Sequence, residues 1–414
     1  MQLWKSGKEY LWNWKKYINN MKKIKIGLLT KIVIAIVLGI FCGMFFPEWL
    51  QRLFATFNGL FSNFLGFFVP LLILGLIIPG IANVGKSAGR LLGITVAIAY
   101  TFTLFSGFFT WGICEGIYPT LLQGTFLSDV TNSSSTFVPY FTIEMPPLMG
   151  VMSALIAAFV IGIGLTVTEG KTLKTVFDDF YEIVILTISK VIIPLLPLYI
   201  YGIFLSMSAN NQITAVLGVF IKLILLIFIM TAGLLFIQFG VAGIIAHRNP
   251  FKLLKNMMTA YFTALGTQSS AATIPVTLQQ TIKNGVDPAI ASFVVPLCAT
   301  IHLSGSAMKI TACALAIMMI TGLEIDPAMV VGFIFMLGIT MVAAPGVPGG
   351  AIMAAVGILQ SILGFDETAV ALMIALYIAM DSFGTATNVT GDGAIAMIID
   401  KYSSTLTKKD AHKE

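Results

Sequence analysis

Charge is scarce in this chain. Of its 414 residues only 10% are Asp, Glu, Lys or Arg, while 57% are hydrophobic. A soluble globular domain is about 25% charged. With a mean hydropathy of +0.93, the composition excludes a soluble enzyme, a nucleic-acid binder and a disordered chain, and marks an integral membrane protein. Cysteine is scarce too. Cys42, Cys114, Cys298 and Cys313 are scattered through apolar runs, with no CxxC and no Cys/His spacing. That excludes a disulfide scaffold and a metal cluster, and no cofactor is expected. The first apolar run begins only near Gly27 and lacks a small-residue cleavage site, so a secretory signal is not expected.

The charges that are present cluster at the ends. Residues 1–26 hold seven Lys and Glu9. This basic segment is either an interfacial amphipathic helix, with Trp4, Leu11, Trp14 and Ile18 on its apolar face, or a plain basic tail. Six apolar stretches follow as candidate spans: 27–46, 54–84, 91–118, 148–168, 180–208 and 213–246. Pro70, Pro79, Pro194 and Pro197 are expected to kink their helices. Residues 119–147 form the long polar loop; Asn132-Ser-Ser there matches a glycosylation sequon, a pattern common by chance. With the N-terminus inside, 19 of the 24 basic residues fall in inner loops and tails, against Arg52 alone outside. The positive-inside rule therefore places both termini in the cytoplasm, in a multi-pass protein of the cell membrane. Lys190 and Lys222 read as interfacial or scaffold positions.

After residue 250 the pattern changes. Residues 256–282 are uncharged but interrupted by Gly266-Thr-Gln-Ser-Ser-Ala-Ala-Thr273. Residues 327–365 are uncharged but broken by Pro345-Gly-Val-Pro-Gly-Gly350. The halves are too short for comfortable spans, so both read as re-entrant helical hairpins with tips inside the membrane. Each precedes an apolar helix with a polar interruption: Ala299-Thr-Ile-His-Leu-Ser-Gly-Ser306, then Asp381-Ser-Phe-Gly-Thr-Ala-Thr-Asn-Val-Thr-Gly-Asp392. Paired interrupted segments point to the midplane site of a secondary transporter built from inverted repeats. The expected fold is all-α, with about eight transmembrane helices plus two re-entrant hairpins.

The chemistry concentrates in the last helix. Asp381, Thr385, Asn388 and Asp392 fall near one face. A carboxylate at membrane depth needs a cationic partner, a bound cation or a proton. Two readings stand: pairing with Lys309 or helix capping, or hard-cation coordination, with Na⁺ at Asn388 and Asp392. In the preceding broken helix His302 lies among Thr300, Ser304 and Ser306, as a core residue or a coupling group. Lys309 pairs with a carboxylate or substrate, or substitutes electrostatically for a bound cation. The tips, Gln268-Ser269-Ser270 and Pro345-Gly346-Val347-Pro348-Gly349, offer backbone N–H and C=O groups. Helix N-termini beyond them favour a substrate carboxylate, and Asp381 an ammonium.

These motifs resemble the dicarboxylate/amino acid:cation symporters, the glutamate transporter homologues. The likeness is firm over about 247–400, through NPFKLLK, QSSAATIPV, ATIHLSGSA, PGVPGG and NVTGD, and weaker before it. It implies a homotrimer. A scaffold of helices 1–6 (27–246, with helix 3 moving with the core) would hold a transport core (247–400) that works as an elevator, followed by a cytoplasmic tail (401–414). It implies that Asp381 and Thr385 take a substrate ammonium, that Asn388 and the Ser270 backbone take its carboxylate, and that Val347 gates the site. It further implies cation sites at Asp392 with Asn388, at Thr300 with the second tip, and at Tyr100 with Thr103.

The departures from that family are informative. His302-Leu-Ser304-Gly-Ser306 stands where the family has Asn-Met-Asp-Gly-Thr. The lost Asp argues against three-sodium coupling, and His302 favours a proton. Gly384 stands where an Arg would read an acidic side chain, and Lys309 replaces an aromatic nearby. The expected activity is cation (Na⁺ or H⁺) symport of a small amino acid, neutral in preference. The alternatives are an acidic amino acid or dicarboxylate read by Lys309 and, remotely, an ion channel. The expected partners are that small molecule, the lipid bilayer and two further copies, with no nucleic acid and no enzymatic activity.

Overall fold

The computed structural model describes residues 28–84, 89–123, 137–168, 170–209, 213–345 and 348–410. The basic segment 1–26, the sequon and the tip residues Gly346 and Val347 lie outside them. Among the described residues all regular structure is helical. The first helices are α1 (Leu28–Gly43), α2 (Glu48–Val84), α3 (Gly89–Leu121) and α4 (Val151–Thr168). Next come α5 (Lys171–Thr187), a π-helical turn (Ile188–Ile192), α6 (Ile193–Ala209) and α7 (Ile213–Ala246). Five stretches are long and apolar enough to cross a membrane, six if one bent pair counts as a span. The chain is a multi-pass membrane protein.

One span boundary and the effect of the prolines differ from expectation. The fifth span begins at Lys171 rather than near residue 180, because Asp178, Asp179 and Glu182 dilute its apolar signal without breaking the helix. Pro194 acts through the turn before it: its missing N–H coincides with the π-helical turn joining α5 to α6. Pro70 and Pro79 sit inside α2, which still runs through as one span.

The second half is built as two similar units. The first is α8 (Pro250–Thr267), α9 (Ser270–Lys283), α10 (Pro288–Ile301) and α11 (Ser304–Thr321). The second is α12 (Pro327–Ala343), α13 (Gly350–Leu363), α14 (Glu367–Ala379) and α15 (Asp381–Asp410). In each, two short helices pack on one another as a hairpin, and a longer helix then breaks in its middle. Asn249, Asp287 and Asp326 cap the first residues of α8, α10 and α12, each followed by proline at the first helical position. The reversal at the first tip puts Gln268 at φ 53°, and that at the second puts Gly349 at φ 74°. The first long helix breaks at His302-Leu303, the second at Met380, where the axis bends by 61°. Helix α15 continues to Asp410, through ten residues read from sequence as tail.

Arg52, the lone outer basic residue of the sequence count, has a structural task. Its Nε donates to Val138 O at 2.9 Å and its guanidinium lies 4.6 Å from the Tyr140 ring, so it pins the 137–150 segment along α2. Lys222 donates to Leu121 O, the end of α3, in line with a scaffold position.

Helix α1 packs on α6 through Gly39-x-x-x-Gly43. A Cβ on Gly39 would meet Tyr201 O, and one on Gly43 would meet Leu205 O and the Ser208 side chain. Backbone approach of this kind is what small residues allow between membrane helices. Gly39→Val should destabilise the detergent-solubilised protein by roughly 1–3 kcal/mol through overpacking, read as a lower unfolding midpoint. Gly240→Val on α7, where a Cβ meets nothing within 4 Å, should not.

Candidate functional site

Both hairpins and both helix breaks converge on one small cavity. It is lined by Gln268 and Ser270 from the first tip, Leu303 and Ser306 from the first break, Pro345 and Ala351 flanking the second tip, and Tyr377, Asp381, Thr385 and Asn388 around the second break. Its cavity volume is only about 10 Å³, room for about one water, so the lining side chains close on one another. Local sequence dictates the arrangement. Ser269 caps α9 by accepting from Ala272 N, which turns the first tip inward. Gln268 Nε2 then donates to Ser382 Oγ at 2.8 Å, tying that tip to α15.

Asp381 is 5% exposed and both of its oxygens are engaged. Oδ1 faces Lys309 Nζ at 3.3 Å, and Oδ2 accepts from Gly349 N at 2.8 Å. Lys309 is fully buried; its ammonium also donates to Met380 O at 3.2 Å and stands 3.9 Å from the Tyr377 ring centroid. Breaking α14 from α15 exposes that carbonyl, and the ammonium uses it. Of the two sequence readings for Asp381, the pairing with Lys309 is the one present here.

Asn388 joins the two broken helices. Its Oδ1 accepts from Gly305 N at 2.8 Å and Ser306 N at 3.3 Å, the first amides of α11. Its Nδ2 donates to Ser306 Oγ at 3.1 Å, and Tyr377 OH donates to the same oxygen at 3.0 Å. One amide thus satisfies two helix N-terminal donors that would otherwise be orphaned by the break.

Below this, His302 Nδ1 lies 2.9 Å from Asp392 Oδ1, with both side chains buried. An imidazole facing a carboxylate donates to it. Ser304 Oγ accepts from Gln238 Nε2 at 3.0 Å, and Phe102 meets the His302 ring edge-on. His302 Nε2 and Gln238 Oε1 have no hydrogen-bond partner among the described residues. A Cβ on Gly391 would meet both His302 Cε1 and Gln238 Oε1, so glycine there gives both side chains room.

The other candidates are placed apart. Tyr100 OH donates to Phe335 O and Thr103 Oγ1 to Ala99 O, each in its own contact. Thr300 lines a separate cavity with Ala344 and Pro345, beside the second tip, together with Asp178 and Glu182 of α5. Pro348 and Gly349 lie at the second tip. Gly384 sits against the Lys309 stem. Sequence reasoning missed Tyr377 and Gln238. Each is a polar group deep in an apolar helix, a signal that was available but carries no partner information.

Removing His302 leaves the Asp392 carboxyl buried without its partner. His302→Ala should cost about 3–5 kcal/mol, and adding Asp392→Asn should recover part of that. A double-mutant cycle on thermal unfolding in detergent measures the coupling.

Comparison with known proteins places the chain in a family. The model of the sodium:dicarboxylate symporter family matches residues 28–402. The serine/threonine transporter SstT of Acinetobacter baumannii is 28% identical over 401 residues, covering 91% of this chain and 97% of its own. SstT of Streptococcus suis is 29% identical over 344 residues, covering 80% and 93%. The mouse excitatory amino acid transporter 4 is 29% identical over 272 residues, covering 63% and 48%. The chain belongs to the sodium:dicarboxylate symporter family.

Proposed function

We propose that this protein is a secondary active transporter that takes up a small, neutral amino acid by cation symport. The observation that carries this reading is the single cavity where two hairpin tips and two helix breaks meet. Its lining sorts by charge. Asp381 and Thr385 suit an ammonium, and Ser270, Ser306 and Asn388 suit a carboxylate. The closely packed lining favours a small substrate. Among the described residues no Lys or Arg lines it: Lys309 is turned onto Asp381, which favours a neutral substrate over an acidic amino acid or dicarboxylate. The relatives named as serine/threonine transporters support the same size class.

Coupling is by Na⁺ or H⁺. Ser304 brings no carboxylate to the site, and Asp392 is held by His302; both favour fewer sodium ions than the sequence family's full set. In this reading the two hairpin units, with α3, move as a transport core against the remaining first-half helices in an elevator mechanism. Three copies assemble, and both termini face the cytoplasm, where the basic residues lie.

The test is uptake by the purified chain in proteoliposomes. Saturable accumulation of alanine, serine or threonine should follow an imposed Na⁺ or H⁺ gradient. Large currents with no accumulation would instead indicate a channel. Asp381→Asn should reduce amino-acid binding at least a hundredfold by losing a buried charge-assisted contact worth about 3 kcal/mol. Ligand-dependent thermal stabilisation reads that loss directly.

A further inference from the structure

The closed site contains a cation of its own. Lys309 Nζ has three partners, the Asp381 carboxylate, Met380 O and the Tyr377 ring, and the residue is fully buried. Lys309 is absent from the lining of the cavity, whereas Asp381 and Tyr377 belong to it. The ammonium therefore reaches the carboxylate from behind, from α11, and leaves the cavity face to Asp381.

Its path is built into the helix packing. A Cβ on Gly384 would overlap Cδ, Cε and Nζ of Lys309. A Cβ on Gly305 would meet Gly384 O and the Thr387 side chain. Two glycines thus let α11 and α15 close around the lysine stem, and the ammonium leaves its slot only if those helices part. The other Asp381 oxygen accepts from Gly349 N, at the second tip. That contact belongs to a hairpin tip. It is the one a substrate ammonium would replace, while the lysine stays where it is.

We propose that Lys309 is a tethered counter-ion for the return of the empty carrier. It neutralises Asp381 when no substrate is bound, so the second hairpin closes and the core reorients without taking up Na⁺ or K⁺ at that carboxylate. A bare carboxylate inside the bilayer has to recruit a soluble cation or a proton for each crossing; a covalently attached ammonium removes that requirement. Asp392, the other buried acid of α15, likewise has its partner in His302. This inference rests on the transporter reading above and adds a statement about which half of the cycle needs a trans cation.

The experiment compares net uptake with counterflow exchange in proteoliposomes whose interior holds only choline as cation. The probe is radiolabelled serine, or whichever of alanine, aspartate and succinate exchanges saturably. Exchange never uses the empty return step; net uptake always does. For the wild-type chain, net uptake should run within about threefold of exchange, and internal Na⁺ or K⁺ should not raise it. In Lys309→Met the ratio of net uptake to exchange should fall at least tenfold. Exchange with net uptake that demands internal Na⁺ or K⁺ in the wild type overturns the proposal. So does a Lys309→Met ratio equal to the wild type's. If the variant does not fold, the wild-type arm decides alone. Absence of any exchange removes the transporter reading itself, an outcome distinct from these.

Discussion

The contact between Asp381 and Lys309 constrains everything around it. A carboxylate at this depth has to be met, and meeting it from α11 requires three local features at once. The α14–α15 helix must break at Met380 to free a carbonyl for the ammonium. Residue 384 must lack a side chain so that the lysine stem has a path. The second hairpin must end close enough for Gly349 N to reach the remaining oxygen. Two of these show as departures from regular helix, at Met380 and at the second tip, and the third as a glycine inside α15.

Asn388 repeats the logic without charge. Interrupting α10–α11 frees amides at Gly305 and Ser306, and one side-chain oxygen on α15 accepts both. Each broken helix thereby compensates the other: α15 supplies an acceptor for the first amides of α11, and α11 supplies the cation for the first acid of α15. Mutual dependence of this kind makes the pair behave as one unit, with little tolerance for independent shifts.

Much of the fold was legible in the sequence, for identifiable reasons. The hairpins are visible because Gly, Pro and Ser split uncharged stretches into halves too short to span. The unit boundaries coincide with Asn249-Pro250, Asp287-Pro288 and Asp326-Pro327, cap and first-turn proline together. The cavity-lining set Gln268, Ser270, Ser306, Asp381, Thr385 and Asn388 was also legible, because polar residues at that depth have few structural uses. Partnerships were not. Spacing along α15 puts Asp381 and Asp392 on a face, but the register of α11 against α15 decides that His302 meets one and Lys309 the other. That register is set by glycine-mediated approach between distant segments, which no local pattern encodes. Tyr100 and Thr103 were grouped by resemblance, and their hydroxyls donate to separate carbonyls, of Phe335 and Ala99.

Gly384 and Lys309 share one volume. A positive side chain can enter this space from α15 or from α11, but the two cannot coexist there, since even a methyl on residue 384 would occupy the space of the lysine stem. Exchange of one arrangement for the other therefore cannot proceed by single substitutions through a fully packed intermediate. It passes either through a chain with no cation at this place or through one that is overfilled. Two residues 75 positions apart are thus one packing unit, in which the lysine at 309 requires a residue without a side chain at 384.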